Sequence, residues 1–173
     1  MKLMETYVKA PFLRKASILV AGECVQSVFP ETLKRFVENR AVLTSCPQVE
    51  EFSGLLQKLA MIVRCAKPNE MVVLTVDGSP HCNMLHVSVN GAVFLTKAKI
   101  PTKHFVIIGE GEAKEVSSQS IRVSRYLHLV EKCIQKCPEV ISDLRRLSLE
   151  QRDVKNDVST SSRQRRPLFH TRR

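Results

Sequence analysis

No stretch of this chain stays apolar for the roughly 18 residues that a membrane-spanning helix requires. The charged opening MKLMETYVKAPFLRK also lacks the continuous apolar core of a signal peptide. The expectation is therefore a cytoplasmic protein with no membrane segment. Several chemical signatures are missing as well. No Cys-x-x-Cys, no Walker sequence, no paired-carboxylate motif and no serine–histidine–acid order occurs. Gly109-Glu110-Gly111 lacks the third glycine of a dinucleotide fingerprint, and its acidic residue would repel phosphate, so it reads as a turn. Net charge is scarce where the fold should be. Of the formal +10, residues 1–15 carry +3 (four Lys/Arg, one Glu) and residues 151–173 carry +5 (seven Lys/Arg, two Asp), leaving +2 for residues 16–150. The basicity lies at the ends and does not mark the folded part as a nucleic-acid binder.

At 173 residues the chain can bury a sizeable core without disulfides. The expected layout is a loosely attached lead-in over residues 1–15, a single α/β domain over 16–150 and a disordered basic tail over 151–173. The tail composition, rich in Ser, Thr, Arg and Gln, supports that last assignment. Three stretches organise the domain: SILVAGEC ending at Cys24, AVLTSC ending at Cys46 and MVVLTVDGSPHC ending at Cys82. Each is a short Val/Ile/Leu-rich run followed within a few residues by a cysteine and a proline-marked helix start.

Strands are accordingly expected at residues 16–21, 41–44 and 71–76, with further strands at 92–95 and 105–108. Helices are expected at 30–39, from Pro47 to about residue 65, from Pro80 onward, from about 120, and at 140–149. Unbroken apolar strands alternating with helices call for a three-layer αβα fold around a mostly parallel sheet of about five strands. In the third connection Ser79 can cap a helix whose first position is Pro80, which puts His81 and Cys82 in its first turn.

Parallel strands end on one edge, about 5 Å apart, and open α/β sheets place their ligands there. Cys24, Cys46 and Cys82 can therefore meet. A thiolate is both nucleophile and metal ligand, and a helix N-terminus favours it, which applies here to Cys46 and Cys82. Three thiolates with His81 or His86 as a fourth ligand would suit zinc or an iron–sulfur cluster. The competing reading is packing, since cysteine is among the most buried residue types. His86, four residues after Cys82, can be a ligand or a satisfied half-buried histidine. Cys133 and Cys137 continue an apolar helical stripe and read as core, Cys65 as structural. Asp77, at a strand end, serves either as a general base or as a turn residue.

In order and spacing, residues 17–108 resemble the α/β domain that follows the cluster motifs in a group of small prokaryotic ferredoxin-like (4Fe-4S) iron–sulfur proteins. That group has Ala-Asp-Cys after the first strand, Gly-Cys-Pro after the second and Pro-Cys-Cys after the third. The matching positions here are Cys24, Cys46-Pro47 and Pro80-His81-Cys82. The closely spaced cysteine run of the ferredoxin part is absent, and His81 replaces one cysteine of the pair. The resemblance implies a redox-associated or metal-associated role beside a redox protein partner. Two alternatives stand next to it. One is a thiol enzyme with Cys46 or Cys82 as nucleophile, assisted by Asp77 or His81. The other is an adaptor that binds nucleic acid weakly, or an acidic partner, through the tail RQRRPLFHTRR, where only Phe169 and His170 are available for stacking.

Overall fold

A computed structural model describes residues 1–148; residues 149–173, which include the expected tail, lie outside the described part. The chain divides into two compact units, one spanning Met1–Tyr126 and the other beginning at Leu127.

The first unit is built on five strands, β1 (Ser17–Gly22), β2 (Arg40–Ser45), β3 (Glu70–Val76), β4 (Thr102–Ile108) and β5 (Glu112–Val116), in the order β2-β1-β3-β4-β5. The first four run parallel and β5 closes the sheet antiparallel to β4. The mostly parallel αβα expectation is met. In β1, Ile18 and Val20 enter one core and Leu19 and Ala21 the other, all without solvent exposure. That is why its sequence is apolar without alternation: both faces are covered.

Helices α1 (Glu23–Val28) and α2 (Pro30–Val37) connect β1 to β2, and Val25, Phe29, Leu33 and Phe36 pack with Leu19, Leu74 and Ile107 on one face. Helices α3 (Phe52–Ala66) and α4 (Pro80–Thr96) cover the other, where Leu55, Leu59, Ile62, Leu85 and Val89 meet Ile18, Val20, Leu43, Met71 and Val73. A short α5 (Ser118–Val123) packs on α4 and β4. The second unit contributes α6 (Leu127–Lys136) and α7 (Glu139–Leu147).

Four local expectations are corrected. Residues 92–95 form the last turn of α4 and not a strand. The buried positions Cys82, Leu85, His86, Val89 and Ala92 keep helical spacing, Phe94 and Leu95 are exposed, and the helix stops only at Lys97 with φ 53°. The fifth strand is instead the charged EAKEV of β5, an edge with little apolar pattern to betray it. The helix expected from residue 47 begins at Phe52, so Pro47–Glu51 is loop. Cys133 and Cys137 are exposed, and α6 buries none of its residues. Residues 1–15, expected to be loose, hold on firmly: Leu3 donates its N–H to Thr44 at 2.7 Å, Thr44 donates to Met1 at 2.8 Å, and Leu3 and Leu13 are fully buried.

Candidate functional site

Strand order fixes where the chemistry can sit. From β1 the chain crosses one face to reach β2, and it returns across the opposite face through α3 to β3, which lies on the other side of β1. The connections diverge at the carboxyl ends of β1 and β3, the position where such sheets open a crevice for ligands. Register places Gly22 beside Ser45 and Ala21 beside Leu74, so the three exit segments leave the sheet level with one another.

Cys24 follows β1 in the first turn of α1. Cys82 follows β3 in the first turn of α4, where its N–H donates to the Ser79 hydroxyl at 3.3 Å. Two adjacent strands thus deliver two thiols to the switch point. The Cys82 sulfur lies 3.8 Å from where a Cβ on Gly22 would stand, so it leans onto the end of β1. Cys24 is exposed, Cys46 half-buried and Cys82 buried. The Cys24 thiol is raised above its ordinary range, first by partial burial and then by the neighbouring Cys82, whose charge and hydrogen bonding both act on it; Cys46 adds a smaller push. A backbone hydrogen bond at Cys24 works in the opposite direction. Strand order and register thus send Cys24 and Cys82 out of adjacent strands at the carboxyl edge, and Cys46 follows β2 at that same edge.

The remaining candidates differ from this pair in their settings. Cys46 lies in the loop after β2, not at a helix N-terminus; beside it the Ser45 hydroxyl donates to the Glu50 carboxylate. His81 is exposed on the first turn of α4 and is not among the groups that perturb Cys24. His86 is buried and turned toward β3 and β4, with Nε2 2.8 Å from the Thr75 hydroxyl and Nδ1 3.0 Å from Nδ1 of His104. Both ring nitrogens are engaged, which fits the satisfied-histidine reading. Among the described residues no group of three or more His, Cys, Asp and Glu side chains is arranged to hold a metal ion.

His104 is the residue sequence reasoning passed over. It stands on β4 and continues a buried polar chain, its Nε2 3.1 Å from Asn90 Oδ1, which also accepts from the Ser118 hydroxyl at 3.4 Å. With Oδ1 as acceptor, His104 donates from Nε2 and accepts at Nδ1. His86 then donates from Nδ1 and accepts the Thr75 proton at Nε2. Burial pushes His86 down to about 3, helped by the charge of His104, and burial alone pushes His104 down to about 4, so both rings are neutral. A polar residue opening an otherwise apolar strand run, KHFVII, is the one signal that could have drawn attention to it. On the β4 side of α4, Thr75, Asp77, Ser79, Asn83, His86 and Val106 line an open crevice of about 350 Å³ at the same carboxyl edge.

Comparison with known proteins agrees with this architecture. A family model described as a Rossmann-like domain matches residues 10–163. The chain is also similar to a protein of Archaeoglobus fulgidus described as an uncharacterized protein, with 27% identity over 131 residues covering 73% of this chain and 91% of that one. Of the resemblance drawn from the sequence, these comparisons support the α/β architecture.

Proposed function

The chain belongs to this Rossmann-like domain family, and from that premise we propose that it is a small binding module in a redox-associated role, working through the thiols gathered at the β1/β3 switch point. The observation that carries the reading is that exposed Cys24 and buried Cys82 leave adjacent strands at the same edge, with the Cys82 sulfur leaning onto Gly22 at the end of β1. An exposed thiol backed by a buried one suits exchange with a disulfide partner. The Cys24 thiolate attacks one sulfur of the partner's disulfide, and the other sulfur leaves and takes up a proton. The Cys82 thiolate then attacks the Cys24 sulfur and releases the second partner thiol, leaving a Cys24–Cys82 disulfide. The raised Cys24 thiol favours its protonated form at rest. The competing reading is a soft metal ion held by thiolates at this edge, against which stands the lack, among the described residues, of any three-residue His, Cys, Asp and Glu group arranged for one.

Dithiodipyridine oxidation of anaerobically purified, reduced protein separates the two. Cys65, Cys133 and Cys137 are first changed to serine to remove competing thiols. One equivalent of oxidant is expected to release two thiopyridones and yield a Cys24–Cys82 cross-link by peptide mapping. In Cys82→Ser, Cys24 should instead persist as a mixed disulfide. Bound iron or zinc that shields the thiols until it is chelated, or two separate mixed disulfides in place of a cross-link, sinks the exchange reading.

A further inference from the structure

Helices α6 and α7 touch each other, yet neither buries a single residue. Both are sharply divided. At helical spacing Leu127, Val130, Cys133 and Ile134 share one half of α6, with Glu131, Lys132, Gln135 and Lys136 on the other. In α7, Val140, Ile141, Leu144 and Leu147 form one side and Glu139, Asp143, Arg145 and Arg146 the rest. Leu127 is 80% and Leu147 73% exposed, and Val140 and Leu144 also face solvent. Helices of ten and nine residues are marginal by themselves in water and draw their stability from covering an apolar face.

The charge of the same stretch limits what can cover it. From Leu127 onward the chain carries eleven Lys/Arg against six Asp/Glu, and residues 163–173 hold five Arg and no acidic residue. Of the acidic residues on the helices, Asp143 already pairs with Arg146. A second copy would set this positive charge against itself, and a nucleic acid would answer the arginines but leave the leucines in water. An anionic bilayer surface offers negative headgroups and apolar depth together. We propose that α6, α7 and the basic segment after them form an adsorption site for an anionic lipid membrane. The apolar halves of the helices enter the boundary between headgroups and acyl chains, and the arginines of 163–173 meet the lipid phosphates. Among the described residues no helix is long and apolar enough to cross a membrane, so the contact lies in the interface plane. An apolar anchor joined to a polybasic stretch is the two-signal combination that stable peripheral binding requires. The site is independent of the thiol chemistry above.

Cosedimentation of the full chain with phosphatidylcholine vesicles, with and without phosphatidylglycerol, at low and high salt tests the assignment. Vesicles containing phosphatidylglycerol should bind at least about tenfold more tightly, and high salt should weaken that binding. The double variant Leu144→Gln/Leu147→Gln removes apolar anchors at exposed positions, and Arg165→Gln/Arg166→Gln removes two of the five arginines. Each should weaken binding by about tenfold or more. Equal binding to neutral vesicles, or a leucine variant that binds like the parent, overturns the proposal. So do two other results in the absence of vesicle binding: an oligomer that the leucine variant dissociates, which gives the face to a second copy, and capture of an RNA oligomer, which gives the arginines to nucleic acid.

Discussion

Two neutral histidines hydrogen-bonded to each other in a buried polar chain are a liability when the pH falls. In the unfolded chain His86 and His104 titrate near 6.5, whereas in the fold they are held at about 3 and about 4. The groups facing them, Thr75, Asn90 and each other, carry no negative charge to welcome a proton. Below pH 6.5 the unfolded state therefore binds more protons than the folded state, and stability fully present above 6.5 is lost as pH drops toward 4. The loss should be on the order of 3 kcal/mol for each histidine by pH 4. Urea denaturation at pH 7, 6 and 5 should show a falling midpoint, and His104→Gln should flatten that dependence. An unchanged slope in the variant would assign the pH sensitivity to other groups.

Helix α4 is the element on which everything near the edge depends. Its first turn carries Cys82 and its middle carries His86 and Asn90. Ser79 starts it by accepting the Cys82 N–H, with Pro80 occupying the first helical position, where a missing N–H costs nothing. Ser79→Ala should lower stability by about 1 kcal/mol, measured as a shift of the urea midpoint with the m-value unchanged. The same change removes one partner from the turn that presents Cys82, so the Cys24–Cys82 cross-link should form more slowly. Gly91 marks a close approach of α4 to α3, since a Cβ there would lie 3.0 Å from a Leu56 methyl group. That approach explains a glycine in the interior of a helix that would otherwise favour alanine.

At the scale of the molecule, the strands, both cores and the switch-point thiols all belong to Met1–Tyr126. A chain ending at Tyr126 is expected to fold cooperatively by itself and to keep the Cys24–Cys82 reaction; a loss of cooperative unfolding would show that α6 and α7 are needed for the core. At the other terminus, Leu3 and Leu13 are fully buried and the backbone of residues 1–3 hydrogen-bonds to Thr44 of β2. Leu3→Ala should cost about 2–5 kcal/mol, the range for emptying a leucine site in a packed core, where a true surface lead-in would show almost none. Thermal unfolding of the variant decides between the two.

Sequence alone determined the mostly parallel sheet and the edge at which the three cysteines leave it. Short unbroken apolar runs such as ILVA, each followed by a loop and a proline-marked helix start, suit strands buried on both faces, and residues that follow parallel strands leave the same edge. Local capping was equally legible: Ser79-Pro80 started α4 where expected. Tertiary structure decided what local pattern leaves ambiguous. AVFL at 92–95 has β-propensity, but its place on α4 follows from helical burial that continues across Gly91, and β-propensity is weaker than packing. EAKEV became a strand only because β4 offered it a free edge. His104 acquired its meaning from His86, eighteen residues away in sequence and 3.0 Å away in space, a contact created by the crossover from α4 to β4. Neither histidine's neighbours in sequence could announce that pairing, because it is set by which helix face lies on which strand.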